Sequence, residues 1–332
     1  MTKLANPPVY FPIERGRYEL GPGLKALGTD FGNGALDKNI FQISKDFSRF
    51  RQNKIQSRLE RVTKYVQQKN LSQHADIAVC QIILKELTEK YPTYFILTEK
   101  NEIKSLTCLL SEDEIGFNSK YELLSFSTKE SWENDRADIR PKNLLDALLL
   151  QIQEDIAILE KQGDQDWISY LHLSSPSHWA AEDKIGLNFS AVHQPIPGID
   201  LVVKAAANLT DAMIHKGPFV RFVWSFVTDE RLNHHPIPPP GKDPAEWRGR
   251  SFNINNAEAF FLRIERQTTW GFPECSASLF TIGLSFIPAS KIKANPTWKS
   301  QLISALQSMT PESKRYKGVD LCFDDLISYL EN

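Results

Sequence analysis

Charged side chains set inside apolar strands constrain this chain more than any other feature. The run Phe219 to Val227, FVRFVWSFV, is apolar except for Arg221. Phe219, Val223 and Val227 are in phase with that arginine, and Val220, Phe222, Trp224 and Phe226 are not, so it meets apolar surface on either face. An unpaired guanidinium there would cost on the order of several kcal/mol, so Arg221 needs a partner, and a carboxylate of the protein or of a ligand serves equally well. The stretch from Ala259 to Phe286 repeats the situation with Arg263, Glu265 and Arg266. Alternation places Phe260, Leu262, Ile264 and Arg266 on one face of that strand and Arg263, Glu265 and Gln267 on the other. Arg266, on the core side at the strand's mouth, suits an anion in a pocket or a buried acidic side chain, whereas Arg263 and Glu265 suit a cross-strand salt bridge.

A second stretch, Tyr170 to Pro197, ends an apolar run on His193 and closes it with Pro195 and Pro197. If the segment is extended, His193 is in phase with Ile185, Leu187 and Phe189; if helical, it lies beside Phe189. Either way the imidazole faces apolar surface, as a core histidine does and as a metal or haem ligand does. His172 and His178 bracket the Ser174 to Ser177 turn, and His234 and His235 open a proline-rich loop, Asn233 to Arg250, that is a lid, a binding loop or a surface excursion.

With 332 residues, 41% of them apolar and 24% charged, the chain can bury a large core as a soluble protein. A net charge of -2 without a basic cluster excludes an electrostatic nucleic-acid binder. No segment has signal-peptide or membrane-span character, which predicts a soluble, cytoplasmic protein. Cys80, Cys108, Cys275 and Cys322 are too scattered for a local zinc or iron–sulfur motif and read as buried thiols. A glycine-rich phosphate loop, a G-x-S-x-G elbow, an H-E-x-x-H pair and dinucleotide glycine spacing are all missing.

Residues 1–35, with Gly21-Pro22-Gly23 and Gly32-Asn33-Gly34, read as an extended lead-in to a single α+β domain over 36–332. Helices are predicted between Asp37 and Asn70, over Ala75 to Glu89, and over Gly198 to His215 with Leu201, Ala205, Leu209 and Ala212 buried. The run NLLDALLLQIQEDIAILEK, between Pro141 and Lys161, has the clearest helical period. Strands are predicted at Tyr94 to Leu97 and Ile103 to Leu110 as a hairpin, then at Trp167 to Leu173, Phe219 to Val227, Ala259 to Gln267 and Ser278 to Ile287. Two helices, near Pro296 to Ser308 and Phe323 to Glu331, finish the chain.

Taken in order, these motifs resemble the haem-dependent oxidative N-demethylase α-subunit family. The residues that carry the resemblance are Pro176-Ser177 with Trp179, Lys184-Ile185-Gly186, and Val192-His193 with Pro195-Ile196-Pro197. Arg221 with Trp224, Arg263 with Glu265-Arg266-Gln267-Thr268, Pro273 and Phe280-Thr281-Ile282 follow, and Gly23-Leu24-Lys25 fits the opening. The resemblance implies a PAS-like antiparallel sheet surrounded by helices, holding haem b and oxidising small alkylamines with electrons from a reductase bearing flavin and an iron–sulfur centre. It makes His193 the expected axial ligand, with Cys275 as rival, and Lys184, Arg221, Arg263 and Arg266 the candidates for pairing with the haem propionates. Phe222 and Trp224 would build the distal face, and Glu265 would orient an arginine or accept a proton from an ammonium substrate.

The chain departs from that family at Thr269-Trp270-Gly271-Phe272, where a Leu-Arg-Arg-Leu run is expected, at Gly283, where arginine is expected, and at Val223, where asparagine is. Those departures point to a second reading, a non-catalytic PAS-like haem or small-molecule sensor. A third, a scaffold without ligand, requires Arg221 and Arg266 to be paired internally.

Overall fold

The lead-in contains only a two-residue strand among its described residues, β1 (Lys25–Ala26), which pairs antiparallel with Phe219 and Val220. The structure is a computed structural model that describes residues 4–21, 23–34, 36–129, 137–250, 252 and 260–332. Pro22 of the expected first turn and Ala259 at the expected start of a strand therefore lie outside the described residues. Helix α1 (Phe47–Tyr65), strand β2 (Val66–Gln68) and helix α2 (Gln73–Lys90) follow. The predicted hairpin forms as β3 (Phe95–Lys100) and β4 (Ile103–Cys108), and continues through β5 (Asp113–Phe117) and β6 (Leu123–Ser127) as a four-stranded antiparallel sheet.

The stretch with the clearest helical period divides into α3 (Leu144–Leu149) and a strand, β7 (Asp155–Gln162). Ile156, Ile158, Ala157 and Leu159 are all buried, and a strand covered on both faces has an unbroken apolar run that mimics a buried helix. The break is built by Lys54 of α1. Its Nζ donates to the carbonyl of Leu149, left unpaired at the end of α3, at 2.7 Å, and to those of Ile152 at 2.9 Å and Glu154 at 2.8 Å in the link to β7. Gln151, buried at the break, donates to Asp113 and accepts from Ser111.

Strand β8 (Gln165–His172) leads into four short helices, α4 (Ala181–Lys184), α5 (Phe189–His193), α6 (Asp200–Lys204) and α7 (Ala206–His215). The single helix predicted over Gly198 to His215 is thus two, split at Ala205, and its buried stripe is Val202, Ala206, Thr210 and Met213, one residue beyond the predicted one; Leu201 is 77% exposed. Strand β9 (Phe219–Val227), helix α8 (Pro244–Arg248) and the long strands β10 (Phe261–Phe272) and β11 (Ala277–Pro288) come next. Helices α9 (Ala289–Lys293), α10 (Pro296–Gln307), α11 (Pro311–Lys317) and α12 (Phe323–Glu331) end the chain.

The large sheet has seven strands in the order β1-β9-β10-β11-β7-β8-β2, all antiparallel. One face is covered by α9, α10 and α12 over Phe226, Leu262 and Ile264, and by α2 and α3 over Ile156, Ile158 and Leu279. The opposite face packs Leu159 and Ile282 against residues of α4, α5 and α7. The architecture is α+β, as expected, with two antiparallel sheets and helices on both faces of the larger one.

Candidate functional site

Strand register decides which charged residues meet. Arg221 lies opposite Gln267, Val223 opposite Glu265, and Ser225 opposite Arg263, while Glu265 lies opposite Leu284 on β11. Cross-strand partners share a face, and this is the face toward α4 and α5. Arg221, Val223, Glu265 and Leu284 are only half-buried, so this part of the sheet face stays partly open beside α4 and α5, a shallow groove with these four side chains as its floor.

His193 ends α5, and the local sequence holds that helix firmly. Asn188 caps it by accepting from Ala191 N at 2.8 Å, the Asp166 carboxylate accepts from Phe189 N at 2.6 Å, and Lys184 Nζ donates to Val192 O at 3.1 Å in the last turn. His193 Nδ1 lies 2.8 Å from Phe189 O, and the two rings are in tilted contact with centroids 4.3 Å apart. A carbonyl can only accept, so Nδ1 carries the proton and Nε2 keeps a lone pair, with no hydrogen bond among the described residues. Burial lowers the His193 pKa; the Phe189 carbonyl opposes that shift, and the charges of Arg221 and Lys184 reinforce it. The ring is neutral at pH 7, the form that binds metal.

A polar relay crosses the floor. Arg221 Nε donates to Gln267 Oε1 at 2.7 Å, and Gln267 Nε2 donates to Glu265 Oε2 at 2.8 Å. At the free edge of β9, Lys317 of α11 donates to Trp224 O at 2.6 Å. Burial pushes its pKa down to about 8, with Glu265 opposing and Arg250 and Arg221 reinforcing. The folded pKa lies below the unfolded value of 10.5, so the folded state binds fewer protons between these limits and stability rises with pH across that window. Urea unfolding at about pH 7.5 and about pH 9.5 should show wild type gaining roughly 1–2 kcal/mol on Lys317→Met over that interval. An unchanged difference would mean that Lys317 is charged and stably paired in the folded state.

Not every expected site residue reaches the groove. Phe222, Trp224 and Arg266 lie on the opposite face of the sheet, where Trp224 packs edge-on against Tyr18 and Phe226. Arg266 is saturated there by both oxygens of Asp37 and by the carbonyls of Asn39 and Ile40, so the buried acidic partner, not a pocket anion, meets its need. Arg263 is on the groove face but fully buried. It donates to the carbonyls of Ser175 at 2.7 Å, Pro176 at 3.2 Å and Arg231 at 3.1 Å, and to His234 Nδ1 at 3.1 Å, so it ties loops together. The cross-strand salt bridge expected on this face does not form for Arg263 or Glu265 among the described residues; Glu265 accepts from Gln267 instead. Of the four expected propionate partners, Lys184 and Arg221 border the groove.

Cys275 sits in the turn between β10 and β11, packed against the cluster under α2, and burial pushes its pKa up to about 11, so it is a thiol away from His193. The two unexpected glycines also have structural explanations. A Cβ on Gly271 would lie 2.0 Å from Ile214 O, so α7 crosses β10 where a side chain would be. Gly283 pairs with Arg266 and so belongs to the face away from His193. The proline loop is fastened: Trp247 Nε1 donates to His235 O at 2.7 Å and Lys64 Nζ to Ile237 O at 2.8 Å. His234 and His235 are buried in hydrogen bonds, and no cluster of three metal-ligating side chains occurs among the described residues.

Sequence reasoning missed Gln267 as the link between Arg221 and Glu265, and missed Lys317 and Arg250 altogether. Gln267 was in phase with Glu265 and legible in principle; Lys317 comes to the edge of β9 from α11, and Arg250 packs against Gly318, approaches that no local pattern encodes.

No curated protein matches the chain. Among the described residues, no helix is long and apolar enough to cross a membrane. The model of one protein family, described as haem-dependent oxidative N-demethylase, alpha subunit-like, matches residues 34–327 and so takes in α4, α5 and the strands β9, β10 and β11. The chain belongs to the haem-dependent oxidative N-demethylase α-subunit-like family.

Proposed function

We propose that the groove holds haem b on His193 Nε2, and that the chain is the catalytic subunit of a monooxygenase acting on small N-alkylamines. The observation that carries this reading is the His193 imidazole: neutral, oriented by a backbone carbonyl at Nδ1, and with an uncommitted Nε2 beside a half-open floor that carries both apolar and charged side chains. Phe189, Val192, Phe280 and Leu284 supply apolar walls for a flat guest, and Lys184 and Arg221 supply positive charge. The order of the five main strands, β9-β10-β11-β7-β8, with helices α4 to α7 between β8 and β9, supports a PAS-like scaffold.

Bound haem would supply the oxygen-activating redox chemistry. In the overall reaction an N-methylamine and one dioxygen molecule, with two electrons and two protons, become the demethylated amine, formaldehyde and water. The electrons come from a separate reductase carrying flavin and an iron–sulfur centre, in keeping with the α-subunit description of the family. Glu265 is the proton acceptor for an ammonium substrate, held in place by Gln267.

The test is turnover. Haem-loaded protein, given a flavin and iron–sulfur reductase and a panel of secondary and tertiary methylamines, should release formaldehyde in step with oxygen consumption. Tight haem binding without amine-dependent oxygen consumption would instead select the sensor reading, for which Gly271 and Gly283 no longer speak.

A further inference from the structure

We infer that the cavity beside the start of β7 is a second ligand site, built for an ammonium group on an apolar body and recognised through Glu154. The inference goes beyond the haem reading and does not rest on it. Strand β11 runs on past its last pair with β7, Ile282 with Asp155, and a cavity of about 720 Å³ flanks the residues beyond, Gly283 to Phe286. Segments that precede α1 and the end of α2 complete its wall, with Phe50, Tyr91, Tyr94 and Phe222 as its aromatic part. Neither His193 nor Glu265 lines it.

The wall's buried donors are committed, and two of its acceptors are not. Gln42 N donates to Glu154 Oε1 at 2.7 Å, Ile43 N to the Tyr91 hydroxyl at 3.2 Å, and Ser44 N to Gln153 Oε1 at 2.5 Å. Tyr91 in turn donates to Phe41 O at 2.9 Å, and Arg266 is engaged by Asp37 and two carbonyls. The atoms left over are Glu154 Oε2 and Asn33 Oδ1, both buried and without a hydrogen bond among the described residues. Glu154 is only 1% exposed, and the amide nitrogen of Asn33 is fixed by Pro8 O at 3.0 Å, so its oxygen can only accept. The buried carboxylates of Asp113, Asp146 and Asp155, by contrast, have both oxygens engaged. An unmet buried carboxylate oxygen is costly, and an ammonium N–H supplies it with both a hydrogen bond and a countercharge. Lys38, Arg49 and Lys90, the other cations of the wall, are exposed to solvent. Gly283 keeps the approach clear, since a Cβ there would stand 3.5 Å from Glu154 Cγ.

The experiment titrates benzylamine and its uncharged counterpart benzyl alcohol into the full chain as wild type, Glu154→Gln, Gly283→Arg and Glu265→Gln, by calorimetry, with thermal melts to confirm folding. Wild type should bind the amine about tenfold or more tightly than the alcohol, and Glu154→Gln should abolish that preference while leaving the alcohol unaffected, as loss of one charge-assisted hydrogen bond requires. Gly283→Arg sets a guanidinium against Glu154 and fills the approach, so it should weaken both guests; if Glu154→Gln does not fold, unchanged amine binding to Gly283→Arg overturns the inference by itself. A wild type without preference for the amine, or a preference that survives Glu154→Gln, would also overturn it. A preference that survives Glu154→Gln but is lost in Glu265→Gln would place the amine in the groove beside His193, removing this site while supporting the proposed function.

Discussion

Arg58→Ala should lower the unfolding free energy by about 3–5 kcal/mol, the usual consequence of removing one partner of a buried ion pair. Arg58 grips both carboxylate oxygens of Asp146, at 2.7 and 3.0 Å, and donates Nε to Ile139 O at 2.6 Å. Its side chain is 1% exposed, so the abandoned carboxylate could not be rehydrated without opening the structure. The loss should show as a lower urea midpoint at an unchanged slope. A double replacement of Arg58 and Asp146 by leucine should recover most of it, because the penalty comes from the stranded charge and not from lost attraction. A single variant within about 1 kcal/mol of wild type would contradict the burial of this pair.

His193→Gly should abolish oxidative turnover while leaving the melting transition close to that of wild type. The residue is half-buried at the end of a five-residue helix, and apart from the own-helix bond to Phe189 O its side chain makes no hydrogen bond among the described residues, so removing that side chain strands nothing in the core. What it removes is the lone pair at Nε2. If that lone pair ligates iron, the spectrum and the turnover change together. Lys184→Ala, which unfastens Val192 O, should act more weakly because Asn188 and Asp166 still hold the other end of α5.

How much of this was readable in the sequence depends on what fixes each feature. Strand β9 coincides with the run FVRFVWSFV because the strand is defined by its own apolar continuity. Alternation alone separates Arg221 from Trp224 and Arg263 from Arg266, and the structure keeps each on the expected side. It cannot say that α4 and α5 cover the first face and C-terminal helices the second, so the distal role expected of Trp224 falls to a residue that the sheet itself separates from the groove. The misread helix at β7 has the same origin: Lys54 captures the carbonyls of Leu149, Ile152 and Glu154 across the break between α3 and β7, and it lies at sequence separations of 95 to 100 from them. Arg266 finds Asp37 from 229 residues away. Arg250 depends on a notch left by Gly318, which has meaning only once α11 has packed.

The claim on which the functional account turns is that one imidazole, on α5, holds the iron. Electronic and magnetic spectra of haem-loaded His193→Gly, recorded with and without added imidazole, address it directly. The account predicts that the variant loses the wild-type spectrum and regains it when imidazole occupies the vacated position. A variant whose spectrum already equals that of wild type without imidazole would show that the ligand lies elsewhere.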